Sequence, residues 1–399
     1  MALICAAACL RSFGIGLLGV VLGVFLYREG LSSTSIGLVI AAGLAGAAAA
    51  TALVTFRADR IGRRASLVAL SLLSAVGAIP LIAHSRLALL LPLAFVGMLN
   101  GMGTDRSASF ALEQAVIPGL VSDRGRTWTF AWYSLVLDAG GAFGALAAGA
   151  PLLAQRWWGI DLATAYRWLF TGYAGLSVIS GAFYLFLTSQ VEVSSPAVDR
   201  KPQPVSAATK LTVRKLASLF ALDSLGGGLL TDALVSYWFF RRFGIAENHL
   251  AILFFLVHVL NALSHLGAAW LARRIGLIKT MVFTHLPSSL FLIAASFVPS
   301  ARWAVALFLL REALVEMDVP TRQSYVAAVV APHERTYASG VTNLTRNLCW
   351  AASSSVAGAF MKVAFSAPLF VGGGLKVIYD LLLWRAFRHV RPPEEKAMR

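Results

Sequence analysis

Apolar runs of about 20 residues, each long enough to cross a bilayer, recur along the whole chain and are separated by short polar breaks. Read in order, they predict helices over Ile4–Tyr27, Ser35–Phe56, Ala65–His84, Leu87–Leu112, Trp128–Leu153 and Tyr166–Thr188. A second set follows at Val213–Phe240, Leu250–Leu271, Met281–Val298, Trp303–Val326, Tyr337–Met361 and Pro368–Phe387. Between the sets, residues 189–212 hold Pro196, Pro202 and Pro204 among Asp199, Arg200, Lys201 and Lys210. That composition cannot continue a membrane helix and reads as a cytoplasmic linker. The pattern predicts an all-α membrane protein of about twelve transmembrane helices. It has one six-helix bundle over residues 1–188, a second over 213–387 and a cytoplasmic tail over 388–399.

Composition sharpens this picture. The 399 residues are 58% hydrophobic and only 13% charged, far below the charge of an ordinary soluble protein. The formal charge of +15 suggests a nucleic-acid partner until its distribution is considered. Its basic residues cluster between apolar runs, as in a polytopic membrane protein. With the N-terminus inside, the inner loops and tail collect roughly twenty Lys and Arg. The outer loops hold Arg28, Arg86, Arg156, Arg167, Arg241, Arg242, Arg302 and Lys362. Both termini are therefore expected in the cytoplasm, in the inner membrane of a prokaryote. On the same count Ala154–Ala165, with Trp157 and Trp158, is an outer loop, and Glu113, Gln114, Pro118, Arg124, Arg126 and Thr127 belong to an inner one. Small residues over Ala41–Ala50, with Gly43 and Gly46, allow a neighbouring helix to approach helix two closely. Cys5, Cys9 and Cys349 fall in apolar segments and predict free thiols. Arg11 interrupts the first apolar run, and no basic stretch precedes it, so an uncleaved first helix is expected rather than a signal peptide.

The polar breaks carry a repeat. Ala58–Leu67, ADRIGRRASL, packs Asp59, Arg60, Arg63 and Arg64 around Gly62, and charge this dense must sit in water. A degenerate copy, ARRIGLIKTM, occupies Ala272–Met281: Ala272, Arg274, Ile275 and Gly276 repeat Ala58, Arg60, Ile61 and Gly62, with Arg273 in place of Asp59. Two related halves are the usual build of a secondary transporter.

At these residues the chain resembles the Major Facilitator Superfamily of secondary transporters over nearly its whole length. The family's loop between helices two and three runs G-x-L-A-D-R-x-G-R-R-x-x-L. Ala58, Asp59, Arg60, Gly62, Arg63, Arg64 and Leu67 match it, while Thr55 and Arg57 replace the leading Gly and Leu. The resemblance implies that Asp59 and Arg63 join a cytoplasmic charge network that latches the halves. It also implies that helices one, four, seven and ten line a central cavity. Gly140, Gly141, Gly144 and Gly149 resemble the family's antiporter run in helix five, although Ala145 stands where that run has proline. This leans toward export; close helix packing accounts for the glycines equally well. Glu113–Thr127 and Asp318–Thr336 each end in Arg-Thr before the next helix and look like paired gate loops.

Charges inside helices cost about 2.5–3.5 kcal/mol on insertion scales and normally face a cavity or a partner. Asp223, just before Gly226-Gly227-Gly228 where the backbone could bend, is a candidate for proton coupling or substrate contact; a structural hydrogen bond is the alternative. Asp232 is expected to be solvated or part of a gate. In helix ten, Arg311, Asp318 and Arg322 lie at spacings of seven and four and share a face, with Glu312 and Glu316 on an adjacent stripe. Arg311, Glu312 and Glu316 are candidate cavity residues, and Arg311 requires an anionic substrate or a carboxylate such as Asp223. Asp318 and Arg322 are assigned to a cytoplasmic gate. Asp138 and Arg346 either pair with each other between halves or pair within their own. Asp105 and Arg106 are expected at the interface, and Lys376 and Asp380, four apart, are expected to pair together. His258, Asn261 and His265 share a face of helix eight without a carboxylate or thiol cluster, which favours polar packing over a metal.

The sequence therefore predicts a secondary active transporter, a monomer moving a small solute by alternating access with protons as coupling ion, and with no cofactor or metal. A sensor or an intramembrane enzyme on the same scaffold is the alternative. No G-x-x-x-x-G-K-[ST], H-E-x-x-H or G-x-S-x-G occurs, so neither direct ATP use nor those catalytic sites are expected.

Overall fold

A computed structural model describes residues 1–83, 86–105, 107–120, 126–188, 191–192, 205–330 and 334–388. Arg106, Arg124, and most of the predicted linker and tail lie outside them, and so do the side chains of Pro118, Arg126, Thr127, Asp59, Arg60 and Arg273. The described residues form helices and no strand. In chain order they are α1 (Ala2–Arg28), α2 (Ser33–Ile61), α3 (Arg63–Gly77), α4 (Ile79–Ile82), α5 (Leu87–Val96), α6 (Ala108–Leu120), α7 (Arg126–Ala147), α8 (Ala150–Trp158) and α9 (Leu162–Leu185). There follow α10 (Ala207–Gly228), α11 (Asp232–Phe243), α12 (Glu247–Ile275), α13 (Leu277–Phe297), α14 (Ala301–Val315), α15 (Asp318–Ala328), α16 (Arg335–Val363) and α17 (Ala367–Phe387).

Five of the predicted helices are broken. The third stops at Ala78 before Pro80, and the fifth at Ala148-Gly149 before Pro151; proline at the first turn starts a helix but cannot continue one. The fourth unwinds over residues 97–107, the seventh at 229–231, and the tenth at Glu316-Met317. The expected outer loop at Ala154–Ala165 is instead mostly helical, because α8 runs to Trp158 and Gly159 closes it with φ 63°. Trp157 and Trp158 remain 66% and 71% exposed, as interfacial aromatics are. Nine stretches among the described residues are long and apolar enough to cross a membrane. The breaks shorten others, such as Leu87–Val96 and Ala108–Ile117.

The repeat read from the sequence has matching backbones. Helices α2 and α12 each span 29 residues and end in Ile-Gly. Gly62 and Gly276 turn the chain at φ 103° and 91°, a conformation open mainly to glycine. Ser66 Oγ then donates to the Gly62 carbonyl at 2.8 Å, as Thr280 Oγ1 does to Gly276 at 2.9 Å.

Two compact units result. One contains Met1–Val198, Thr231–His258 and Ser354–Lys362; the other contains Asp199–Leu230, Val259–Ser353 and Val363–Arg399. Ile4, Leu67, Ile117, Tyr133 and Tyr184 centre the first core, and Val213, Phe220, Met281, Tyr325 and Tyr379 the second. Within the first unit α5 lies so close to α2 that a Cβ on Gly46 would run into the Phe95 carbonyl oxygen. Gly46→Ala should therefore destabilise by about 1–3 kcal/mol, the usual cost of overpacking, read as a lower unfolding midpoint in detergent. Gly172 of α9 has nothing within 4 Å of an added Cβ, so Gly172→Ala should leave that midpoint unchanged or raise it through helix propensity.

Candidate functional site

Each unit buries a cluster of charge where helices converge. In the first, Arg11 projects from α1 into the unwound segment 97–107. That segment is held by local bonds: Asn100 Nδ2 donates to the Thr104 carbonyl at 3.0 Å, and Met102 N donates to Asn100 Oδ1 at 2.8 Å. Asp105, at its end, accepts from Ser107 N and from Arg11 Nε at 2.8 Å. The other guanidinium nitrogens reach Glu113 of α6 at 3.1 and 2.5 Å. Tyr133 of α7 and Tyr184 of α9 each donate to Glu113 at 2.5 Å. Four helices thus converge on one carboxylate that is fully buried, and the broken segment joins them through Arg11. Among the described residues, one cation faces two acids.

At the far end of α1 a second arrangement closes the same unit. Arg28 Nε donates to Glu247 Oε1 at 2.6 Å, and Tyr166 donates to the same oxygen at 2.8 Å. Glu247 is 1% exposed and sits in the first turn of α12, where the helix dipole favours a negative charge. Ser33 Oγ and Tyr237 Oη lie 3.0 Å apart, and Arg241 stacks over Tyr27 at 4.5 Å. Nearby, the breaks in the fourth and seventh predicted helices meet: Ala233 N donates to the Gly101 carbonyl at 3.0 Å. Glycine at 103 is required there, because a Cβ would collide with the Asp232 carboxylate. Irregular backbone at membrane depth is tolerated only where protein or a water-filled cavity surrounds it, and paired breaks of this kind mark binding sites in transporters.

The second unit gathers five charged side chains and a histidine around Asp223 of α10. Lys376 of α17 donates to its Oδ1 at 2.7 Å; Arg322 of α15 and Arg346 of α16 approach Oδ2 at 3.6 and 3.8 Å. Arg322 also donates to Asp318 at 2.5 Å, and Arg346 to Ser224 at 3.2 Å. His285 of α13 joins the two ends: Nδ1 lies 3.0 Å from both Asp380 oxygens, and Nε2 lies 3.4 Å from Lys376. Among the described residues, three basic side chains therefore stand against three acidic ones, with a histidine between them. The cluster balances itself.

The profile of the Major Facilitator Superfamily matches residues 4–354. The chain belongs to this superfamily. It is 24% identical to an uncharacterized membrane protein of Saccharomyces cerevisiae, YJR124C, covering 99% of this chain and 96% of that one. Among solved structures it is similar to the nucleoside transporter NupG, with a TM-score of 0.71, 15% identity, and 98% and 100% of the two chains covered. A D-xylose-proton symporter aligns with a TM-score of 0.70 at 14% identity, covering 96% of each chain. A POT family transporter in complex with 5-aminolevulinic acid aligns with a TM-score of 0.75 at 12% identity, covering 96% of this chain and 95% of that one. These likenesses establish the superfamily's all-α, two-bundle fold. The protein is a multi-pass integral membrane protein and a secondary transporter of a small molecule.

Within this superfamily fold the residues singled out in the sequence separate. Asp223, Asp318, Arg322 and Arg346 come together. Arg311 does not join them: the break at Glu316-Met317 destroys the common helical face, and Arg311 pairs with the adjacent Glu312. Glu316 is half-buried at that break. Lys376 and Asp380 do not pair with each other; Lys376 crosses to Asp223 and Asp380 to His285. The glycines after Asp223 do not bend α10, which stays helical through Gly228; they admit Trp350, Ser353 and the Gly372 carbonyl at close range. Asp138 is half-buried on α7. In the charged turn at Gly62, Arg63 N and Arg64 N donate to Glu192, which caps α3, and Arg64 Nη1 reaches the Leu187 carbonyl at 3.1 Å.

The sequence reading missed the first cluster. It put Glu113 in a loop and Asp105 at the interface, yet both are buried against Arg11. The Gly-rich run Gly97–Gly103 ahead of Asp105 was the available signal of a break. Removing one partner of a buried pair is costlier than removing a balanced set. Asp223→Asn leaves three cations facing two acids, whereas Lys376→Gln leaves two facing three, with His285 able to accept a proton. Asp223→Asn should therefore lower the unfolding midpoint more, by about 3–5 kcal/mol in stability, and adding Lys376→Gln should recover part of the loss in a double-mutant cycle.

Proposed function

We propose that this transporter moves a small organic solute by alternating access, coupled to protons, and acts as a monomer with both termini in the cytoplasm. The observation that carries the coupling is the excess acid of the first cluster: Arg11 faces both Asp105 and Glu113. One proton gained there balances the charge, and its release returns Arg11 to both carboxylates. The cluster adjoins the unwound segment 97–107, so a change in it reaches the break where a substrate would sit. Asp223, held by Lys376 and flanked by two arginines, serves as a fixed counter-ion that keeps α10, α15, α16 and α17 in register. Arg311, Glu312 and Glu316 line the solute path beside the break in the tenth predicted helix. The fold neighbours include a nucleoside transporter and a xylose symporter, so they favour no one solute. Export is the favoured direction because the glycine run of α7 resembles that of antiporters. Nothing in the arrangement supplies a catalytic constellation, and we read the chain as a carrier and not an enzyme.

Arg28, Tyr166 and Glu247 form the latch that holds one gate shut. They tie the start of α12 to the ends of α1 and α9. Alternating access requires them to separate once per cycle. Charge-assisted bonds contribute about 1.5–3 kcal/mol, so Glu247→Gln should shift the two-state population about tenfold or more toward the state open at this end. Labelling of a cysteine introduced at Ser33 reads the shift; unchanged labelling would remove the latch from the scheme.

Proteoliposomes with a trapped pH dye, screened against nucleosides, pentoses, amino acids and organic acids, test the coupling. The protein should move protons when its solute is added. Glu113→Gln should retain solute exchange between equal pools but lose accumulation driven by a pH gradient. Accumulation at the unaltered rate in Glu113→Gln would refute the assignment.

A further inference from the structure

A groove on the second unit has no part in either cluster. It opens beside α10 and α16, has a volume of about 730 Å³, and is lined by Ala207, Lys210, Leu211, Val213, Arg214, Ala217, Ser218, Ala221, Val341 and Thr345. Small residues along one face of α10 form its floor. Positions 207, 210, 214, 217 and 221 fall at steps of three and four, so they stack along one side of the helix. Two of them are basic. Lys210 and Arg214 are exposed, and neither makes an ion pair or side-chain hydrogen bond with any described residue.

The start of α10 is anchored independently. Glu334 accepts from Ser206 N at 2.7 Å and from Thr209 Oγ1 at 2.5 Å. Thr209 faces away from the groove, buried, so the acid that fixes the helix start does not neutralise Lys210 or Arg214. The groove therefore combines two cations, without an acidic partner among the described residues and one helical turn apart at its mouth, with apolar walls running along a membrane helix. A soluble anion would use the first property and leave the second wasted. An amphiphile uses both.

We propose that this groove binds an anionic phospholipid. The phosphate lies between Lys210 and Arg214, where the guanidinium can make paired charge-assisted bonds, and the upper acyl chain lies along Leu211, Ala217, Ala221 and Val341. The volume is that of an ordinary ligand site, and basic pockets between membrane helices on the Lys/Arg-rich side suit acidic headgroups. The occupied groove braces α10 against α16 just below Asp223 and Arg346.

The test uses the full-length chain in nanodiscs and by native mass spectrometry. The probe is phosphatidylglycerol, with phosphatidylcholine and inorganic phosphate as the other arms. The unaltered protein should retain phosphatidylglycerol adducts and unfold at a higher temperature in phosphatidylglycerol than in phosphatidylcholine. K210Q/R214Q should weaken retention about tenfold or more while leaving the midpoint in phosphatidylcholine unchanged. A217L, which fills the apolar wall without touching the cations, should also weaken retention, whereas K279Q on α13 should not. Equal retention by K210Q/R214Q and the unaltered protein would overturn the proposal. So would full displacement by inorganic phosphate with A217L behaving as unaltered protein, which would make the site one for a soluble anion.

Discussion

A guanidinium in a lipid-embedded bundle cannot lose its proton and cannot be left alone. Arg11, Arg322 and Arg346 therefore dictate much of what surrounds them. Arg11 is met by carboxylates from the unwound segment and α6 and by the Tyr184 phenol of α9, while Tyr133 of α7 donates to Glu113. Asp105 reaches it from the stretch after Val96, where the fourth predicted helix opens. In the other unit, Arg322 and Arg346 share Asp223 with Lys376, and four helices are joined through that single carboxylate.

The two clusters obey the same constraint with different charge balance. Three cations against three acids form a closed set that resists any change in charge. Among the described residues, one cation against two acids leaves the first set with an acid in excess. Tyrosines donating to Glu113 let the acid sit deep without direct solvation, and the irregular backbone beside it gives local charge a path to local shape. Where Arg28 and Glu247 meet, a third pair holds segments from the two halves of the sequence together.

Glycine has two distinct uses in the chain. At Gly62 and Gly276 it supplies a backbone angle, turning the chain sharply between paired helices. At Gly46, Gly228 and Gly358 it supplies the absence of a side chain, so that a carbonyl of another helix can sit against the backbone. The sequence distinguishes the first use by neighbouring charge. It does not distinguish packing from bending, and the run after Asp223 was assigned to bending for that reason.

What the sequence determined by itself was everything governed by local period and by the solvent each stretch can tolerate. The apolar runs, the charged turns at Gly62 and Gly276, the internal duplication and the need of Asp223 for a partner all follow from the free energy of placing residues in hydrocarbon. What only the tertiary structure decided was which groups meet. Lys376 and Asp380 are four apart on one helix, yet each finds its partner on another, because helix packing brings Asp223 and His285 closer in a better geometry than the intrahelical pair. Glu113 lies where the apolar run fades into polar sequence, a local signal of a loop, and only the fold of α1, α7 and α9 around it makes it the centre of a bundle. Partner choice across helices depends on contacts between residues up to 219 positions apart, and no pattern along the chain encodes that distance.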